Sequence, residues 1–435
     1  MAKLIKFGEY NKLYKYMWFF IINKLLSSYI FNYSTIPKNL KPFILNSFPK
    51  NYVFTGNFFE YISIYLCTFI SRRFELKQLK SNESSSKSSS ETNTSKSVYN
   101  LIYLNSGYSN KKVISSEFFS AIIVLILGNI LTGSHYALNL GGLDFWELEL
   151  LLISLVNSMI FRMPVYRHQK LAIYFIIISS LIIKILSLRD TFKSEEVSLY
   201  KLYVWTIPLG VVSFIFAQFL KAYSFCKAKY FFDLKFITIS QFLKFYGLIG
   251  SIISILGSII FTYTKCHKKY KDFPNIKYIC EHYDRSIKNG ESDNYFDNFK
   301  LYFDDWDRNI KSKKVGYSFL FILKNLFATL TGFFTFSIIK NLSPEYYVCA
   351  NSIYFLIVDL LKFIGHLISS EYEFEKYDMI SEIFVFIGVT VYLEIIELNF
   401  FKLNYDSKRN ISIRSISELS DINVISANDD EDDDE

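Results

Sequence analysis

Ionisable side chains interrupt several apolar stretches of this 435-residue chain. Because a charge is costly inside an apolar segment, such residues point to a pathway for a solute or a proton. Asp359 lies within the apolar stretch 344–367, and Lys362 and His366 follow it on the same helical face. One interpretation is a proton- or substrate-coupling group. The other is a self-neutralised pair, with Lys362 extended toward the membrane interface.

A second polar stripe lies near the middle of an earlier apolar stretch. Asn129, Thr132 and His135 follow one another at intervals of three residues, which places them along one side of a helix. Their amide, hydroxyl and imidazole groups suit hydrogen bonding to a solute. The alternative is hydrogen bonding between helices, worth roughly 0.6 kcal/mol per contact.

Lys324 and Asn325 form a further polar pair inside an apolar stretch. Lys324 suits pairing with an anionic substrate or with Asp359, and Glu60 is either a counter-ion or an interfacial residue. From these patterns we predict a substrate site that is formed by Asn129, His135, Lys324, Asn325 and Asp359.

The elements that must position these residues are apolar segments of about 18–24 residues, the length at which a helix crosses the hydrocarbon core. Such segments are predicted to be helical because lipid offers no partner for backbone polar groups. The sequence therefore predicts an all-α membrane protein with about ten transmembrane helices, at 14–33, 51–71, 117–138, 145–163, 171–188, 202–220, 244–264, 316–339, 344–367 and 379–400.

Polar segments divide the chain. We predict a disordered Ser-rich loop at 72–115 within a first half of the membrane domain, residues 1–220. A hydrophilic loop at 265–315 interrupts the second half, residues 221–401. An acidic, disordered tail follows at 402–435.

The distribution of Lys and Arg in the short loops predicts cytosolic amino and carboxyl termini. Cys266 and Cys280 then lie together in a lumenal or extracellular loop. A disulfide between them fits an oxidising compartment, and two free thiols are the alternative. The spacing of the cysteines matches no zinc site, so no metal is predicted.

Other function classes have little support in the sequence. The net charge of +7 is spread over the loops, so we predict no nucleic-acid partner. No metal-ligand cluster, nucleophile elbow or pair of carboxylates on one segment is present. We therefore predict that the protein is not an enzyme and binds no cofactor.

Two stretches of the sequence echo each other. Each contains Leu-Thr-Gly within an apolar segment, at 131–133 and at 330–332, then a short link and a new helix start. Asp144 and Ser343 are the predicted caps of those helices, and Pro344 fits a first helical turn. Two halves of five helices each would enter the membrane from opposite sides, which predicts an inverted repeat around a midplane site.

Four stretches of the sequence together resemble a known family: PVYRHQKLAIYFIIIS at 164–179, KAKYFFDLKFITISQFLKFYGLIGSI at 227–252, NLSPEYYVCANSIYFLIVDLL at 341–361 and FVFIGVTVYLEIIELNF at 384–400. Through them the chain resembles the drug/metabolite transporter superfamily, especially its nucleotide-sugar-transporter-like and EamA-like branches. The resemblance implies a ten-helix carrier of small organic solutes with a central cavity. It also implies an endomembrane location, in the Golgi, the ER or another organelle, in preference to the plasma membrane.

The sequence thus predicts a secondary transporter or exchanger of a small organic solute, such as a nucleotide sugar or another metabolite, working by alternating access. The alternative is a non-transporting scaffold or regulator built on a carrier fold, which should have a sealed, apolar interior. The expected partners are membrane lipid and a small-molecule solute, and a homodimer is left open.

Overall fold

The computed structural model describes most of the apolar part of the chain. The described residues contain helices and no strand. They are residues 14–27, 53–86, 116–137, 148–161, 165–193, 206–235, 237–263, 299, 316–368 and 376–396.

Each segment predicted to cross the membrane contains a helix within these residues. The first helix, α1, covers residues 14–27. The others are α2 (Val53–Ser86), α3 (Ser116–Ala137), α4 (Leu148–Phe161), α5 (Arg167–Lys193), α6 (Thr206–Leu234), α7 (Ile239–Tyr263), α8 (Gly316–Asn341), α9 (Pro344–Ile368) and α10 (Lys376–Tyr392).

Six of the described helices are long and apolar enough to cross a membrane: α2, α3, α6, α7, α8 and α9. Helices α4 and α10 are apolar but shorter. A helix rises 1.5 Å per residue, so the 14 residues of α4 extend for only about 21 Å. The chain is therefore an all-helical, multi-pass membrane protein by the length and composition of its helices.

Two predicted boundaries differ from the structure. Residues 72–86, which we assigned to the Ser-rich loop, continue α2 as helix, since Arg, Leu, Lys and Gln in 72–80 are good helix formers. The rest of that loop lies outside the described residues. The sixth predicted segment, 202–220, is displaced, because Lys221 and the lysines after it lie inside α6 and do not end it.

The start of α9 follows its predicted capping pattern. Pro344 is the first helical residue, and the Ser343 carbonyl accepts the first hydrogen bond of the helix, from the Tyr347 amide at 3.4 Å. The predicted cap Asp144 lies outside the described residues.

Helix α10 ends in a turn of the Schellman type. The Ile395 amide donates to the Thr390 carbonyl at 2.9 Å. Between them Glu394 adopts a φ of 60°, a left-handed conformation that glycine more often supplies at this position.

Helices α2 and α7 pack against each other in opposite directions. The Thr55 and Ser258 hydroxyls are 2.7 Å apart, and Gly247 lies against the backbone of Tyr61 and Tyr65. Residue numbers therefore rise along α2 while those of its contacts fall along α7. The glycines on this side of α7 thus mark close helix packing.

Helices α5 and α10 form a second antiparallel pair. His168 Nε2 lies 3.1 Å from Glu394 Oε1, and the Phe175 and Phe384 rings meet edge to face. Gly388 lies directly against Ile176 between these two contacts.

Other neighbouring helices run parallel. Glu60 of α2 pairs with Lys324 of α8, and Ser63, one turn further along α2, contacts Thr329. Helices α4 and α6 show the same relation, since Cys226 donates to the Ile153 carbonyl and Tyr230 contacts Phe161 further along both helices.

The outer surface is apolar. Ile252, Leu256 and Ile260 follow one side of α7 and are about half exposed or more. Ile178, Ile182 and Ile185 do the same on α5. In water such stripes would be an aggregation hazard, whereas lipid tails cover them at no cost.

The α2–α7 contact gives a stability prediction. A Cβ at Gly247 would lie 2.7 Å from the Tyr61 carbonyl oxygen and the Tyr65 amide nitrogen, and backbone atoms cannot move aside easily. We expect Gly247→Ala to lower the free energy of unfolding by about 1–3 kcal/mol, measured as a lower thermal midpoint in detergent micelles.

The matched control is Gly56→Ala, which lies in α2 with no heavy atom within 4 Å of the added Cβ. It should leave the midpoint unchanged or raise it, because alanine favours a helix by about 0.8–1 kcal/mol over glycine. Equal midpoints for the two variants would contradict the close α2–α7 packing.

Candidate functional site

A cavity of about 320 Å³ lies between α2, α3, α6, α7, α8 and α9. Its wall mixes amides, hydroxyls and aromatic rings with one carboxylate. The lining residues are Asn57, Glu60, Tyr61, Ile64, Leu125, Asn129, Phe225, Tyr246, Ala328, Thr331, Gly332, Thr335, Phe336 and Tyr347.

Glu60 is the charged residue of the described lining. Its Oε1 atom lies 3.5 Å from Nζ of Lys324, and each side chain is 33% exposed. This separation is longer than a good hydrogen bond, so the carboxylate keeps acceptor capacity on the cavity side. The pair also joins α2 to α8.

The wall formed by α3 and α7 is held by a hydrogen bond. Asn129 Nδ2 donates to the Tyr246 hydroxyl at 2.8 Å, and the Tyr246 ring lies edge to face on Tyr61 at 5.1 Å between centroids. The Tyr61 ring lies directly over Gly250, which has no side chain to displace it. Close packing of α2 on α7 thus sets the position of this aromatic wall.

The wall formed by α8 is attached to α1. Asn23 of α1 donates from Nδ2 to the Thr331 hydroxyl at 2.7 Å and to the Phe327 carbonyl at 3.0 Å. Thr331 and Gly332, both cavity-lining, belong to the second Leu-Thr-Gly stretch.

Of the five predicted site residues, Asn129 lines the cavity. Lys324 approaches it through Glu60 and lies behind the lining. Asn325 is buried, and its Nδ2 donates to the Phe321 carbonyl of its own helix at 2.9 Å. The sequence therefore predicted a polar site in this region of α8, but it did not predict which side of the helix faces the cavity.

The other two predicted residues lie away from this cavity. His135 is buried with its ring 4.7 Å from that of Phe214, between centroids. Asp359 pairs with Lys362 at 3.0 Å within α9, the geometry of the self-neutralised alternative, and His366 is exposed. A substrate role for either residue stays a prediction.

A second group of charges lies within the helix bundle. Glu149 of α4 is 2% exposed and interacts electrostatically with Lys24 of α1 and Lys221 of α6. Lys24 donates to Asn351 of α9 and lies 4.3 Å above the Tyr354 ring. Lys24 and Glu149 interrupt apolar segments, and that signal in the sequence could have identified them as buried charges.

The pair formed by His168 and Glu394 was also not predicted from the sequence. Both residues lie at helix ends, yet their side chains are only 5% and 10% exposed. The cause is the contact between α5 and α10, which the sequence pattern does not encode.

The remaining expectations concern a metal site and a disulfide bond. Among the residues with described positions, no three His, Cys, Asp or Glu side chains come together as a metal site requires. The proposed Cys266–Cys280 bond lies outside the described residues. Loop 265–315 is described at Phe299 alone, whose ring contacts Phe58 of α2 at 5.8 Å.

Comparison with known proteins assigns no family, since no family model matches the chain and no curated protein matches its sequence. The resemblance to the drug/metabolite transporter superfamily therefore stays a prediction. The class that the fold itself defines is a multi-pass helical membrane protein with a cavity of mixed polar and apolar lining between its helices.

Cysteine labelling tests whether the cavity is reached by water. We expect Ala328→Cys, on the lining, to react with a charged methanethiosulfonate at least about tenfold faster than Ala222→Cys, which is 0% exposed in the apolar core. Peptide mass spectrometry separates these sites from the native cysteines. Similar rates would mean that the cavity is closed to solvent.

Proposed function

We propose that the protein is a secondary transporter or exchanger of a small organic solute. The observation that carries this proposal is the cavity between helices from both halves of the sequence, whose wall combines polar and apolar side chains. Pockets for small ligands occupy about 300–1,000 Å³, a range that includes this cavity. Alternating access requires such a site between two bodies that rock against each other.

The pairing of helices supports a fold of two five-helix repeats. Helices five places apart in the chain contact each other in three cases: α2–α7, α4–α9 and α5–α10. Five further couples of contacts correspond when each helix is exchanged for the helix five places along the chain: α2–α3 with α7–α8, α2–α8 with α3–α7, α4–α5 with α9–α10, α3–α6 with α1–α8, and α4–α6 with α1–α9. The α8–α9 contact has no equally extensive α3–α4 counterpart among the described residues. Correspondence of this kind is expected of an inverted repeat.

The two Leu-Thr-Gly stretches support the same arrangement. Two residues after the glycine, His135 packs against Phe214 of α6. At the equivalent position in the second half, Phe334 stacks on Phe19 of α1 at 5.8 Å. In both places the third helix of one repeat thus packs against the first helix of the other repeat, α3 against α6 and α8 against α1.

The proposed mechanism uses the contacts that border the cavity. Glu60 and Lys324 join α2 to α8, and Asn129 and Tyr246 join α3 to α7, which are equivalent couples in the repeat. Loosening one couple while the other holds would open the cavity toward one side of the membrane. In membranes an interhelical hydrogen bond such as Asn129–Tyr246 contributes roughly 0.6 kcal/mol, weak enough to exchange during transport.

The scaffold alternative has less support. It calls for an apolar interior, whereas carboxylate, amide and hydroxyl groups line this cavity. Beside the transport activity we propose no enzymatic reaction. The organelle membrane and the homodimer stay predictions.

Filling the cavity tests the function. Uptake into proteoliposomes is measured for labelled nucleotide sugars, triose phosphates, amino acids and amines. We expect protein-dependent, saturable uptake that falls by about tenfold or more in Gly332→Leu, because the added side chain takes volume from a site near the lower limit for ligands. A Cβ at Gly332 has only ordinary contacts, at 3.8 Å and beyond, so the variant should fold.

Gly56→Leu is the matched control, since it adds the same side chain to α2 at a position that does not line the cavity. Its uptake should equal that of the unaltered protein. Absence of uptake for the whole panel, from protein that elutes as one species, would favour the scaffold.

A further inference from the structure

We propose that the cavity takes a small organic cation, whose ammonium group binds at the Glu60 carboxylate against the surrounding aromatic rings. This inference rests on the proposed transport function and names the substrate class of that site.

The charge of the wall is the first argument. In the described lining Glu60 is acidic, and no lysine, arginine or histidine accompanies it. Lys324 approaches Glu60 from behind the wall, at 3.5 Å, and so leaves the carboxylate partly available to a solute. A phosphate or carboxylate in the cavity would be repelled by the Glu60 carboxylate, and no cationic side chain of the described lining would bind it.

The aromatic rings are the second argument. Ring quadrupoles attract cations at their faces, by about 0.5–2 kcal/mol depending on how far the site is desolvated. A carboxylate combined with several rings therefore favours an ammonium over a neutral polyol. The rings of the wall are Tyr61, Phe225, Tyr246, Phe336 and Tyr347.

The chain already contains an ammonium held in a related way. Lys24 Nζ lies over the rings of Phe20, Tyr354 and Phe355, at 4.3–5.4 Å from their centroids, and donates to Asn351. Rings, an oxygen acceptor and the Glu149 carboxylate thus surround an ammonium within the helix bundle of this protein.

The size of the cavity limits the solute. A volume of about 320 Å³ lies at the lower end of the range for ligand pockets. It suits a compact amine better than a nucleotide sugar, which is larger and carries negative charge. The amides and hydroxyls of Asn57, Asn129 and Thr335 can bind a polar group at the far end of the solute.

Proteoliposome uptake tests the inference with five labelled probes: choline, putrescine, glucose, glycerol 3-phosphate and UDP-glucose. We expect saturable uptake of a cation, reduced at least about tenfold in Glu60→Gln, which loses a charge-assisted contact. Lys324→Met should lower the cation concentration that gives half-maximal uptake, because it removes an ammonium that competes for Glu60. Glu117→Gln is the matched control, since its carboxylate is 63% exposed at the start of α3, and its uptake should not change.

Protection from labelling provides a measurement without a Glu60 variant. Choline or putrescine should slow the labelling of Ala328→Cys, and glycerol 3-phosphate should not. Uptake of anions or glucose alone, or equal uptake by Glu60→Gln, overturns the cation assignment and leaves the transport proposal standing. No uptake and no protection with any probe overturns both.

Discussion

The close packing of α2 on α7 is the contact on which the candidate site depends. Gly247 admits the backbone of α2, and Gly250 admits the ring of Tyr61. This packing of α2 on α7 directs Glu60 toward the cavity and toward Lys324. It also brings Tyr61 against Tyr246, which holds Asn129 in turn. In lipid no hydrophobic force draws helices together, so the fit of side chains to glycines must supply this contact.

Polar contacts between helices fall largely between α1–α5 and α6–α10. Asn23 binds Thr331, Thr55 binds Ser258, and Asn157 donates to Glu345. Asn129–Tyr246, Glu60–Lys324 and His168–Glu394 follow the same rule. The two sets also share apolar clusters, in which Phe118 of α3 contacts Phe231 of α6 and Phe242 of α7. Any movement of one set against the other would therefore have to keep this apolar surface covered.

The sequence was sufficient to locate the helices but not the sides on which they face one another. Apolar length located all ten helical segments, because it is a local property of the sequence. The lining depends on helix rotation, which is set by distant contacts. Asn129 was found, whereas Asn325, next to Lys324, binds its own backbone. The predicted end of the sixth segment at residue 220 was wrong, because Lys221 does not begin a loop but packs over Gly128 of α3 within the bundle.

Four described helices, α1, α4, α5 and α10, are not among the six that are long and apolar enough to cross a membrane. The directions in which α1 and α4 run relative to their neighbours show how they lie in the bundle. Helix α4 lies alongside α6 in the same direction, with contacts from Ile153 to Phe161, so it lies at the depth of a helix that is itself a candidate span. Helix α1 runs along α9 in the same way, through Phe20 and Lys24. Helices of equal parity in the chain run parallel, and those of opposite parity, such as α2 and α7, run antiparallel. The proposed path of ten crossing helices would produce this alternation. Polar side chains of α4 also meet protein groups within the bundle, since Glu149 is buried beside two lysines and Asn157 donates to Glu345.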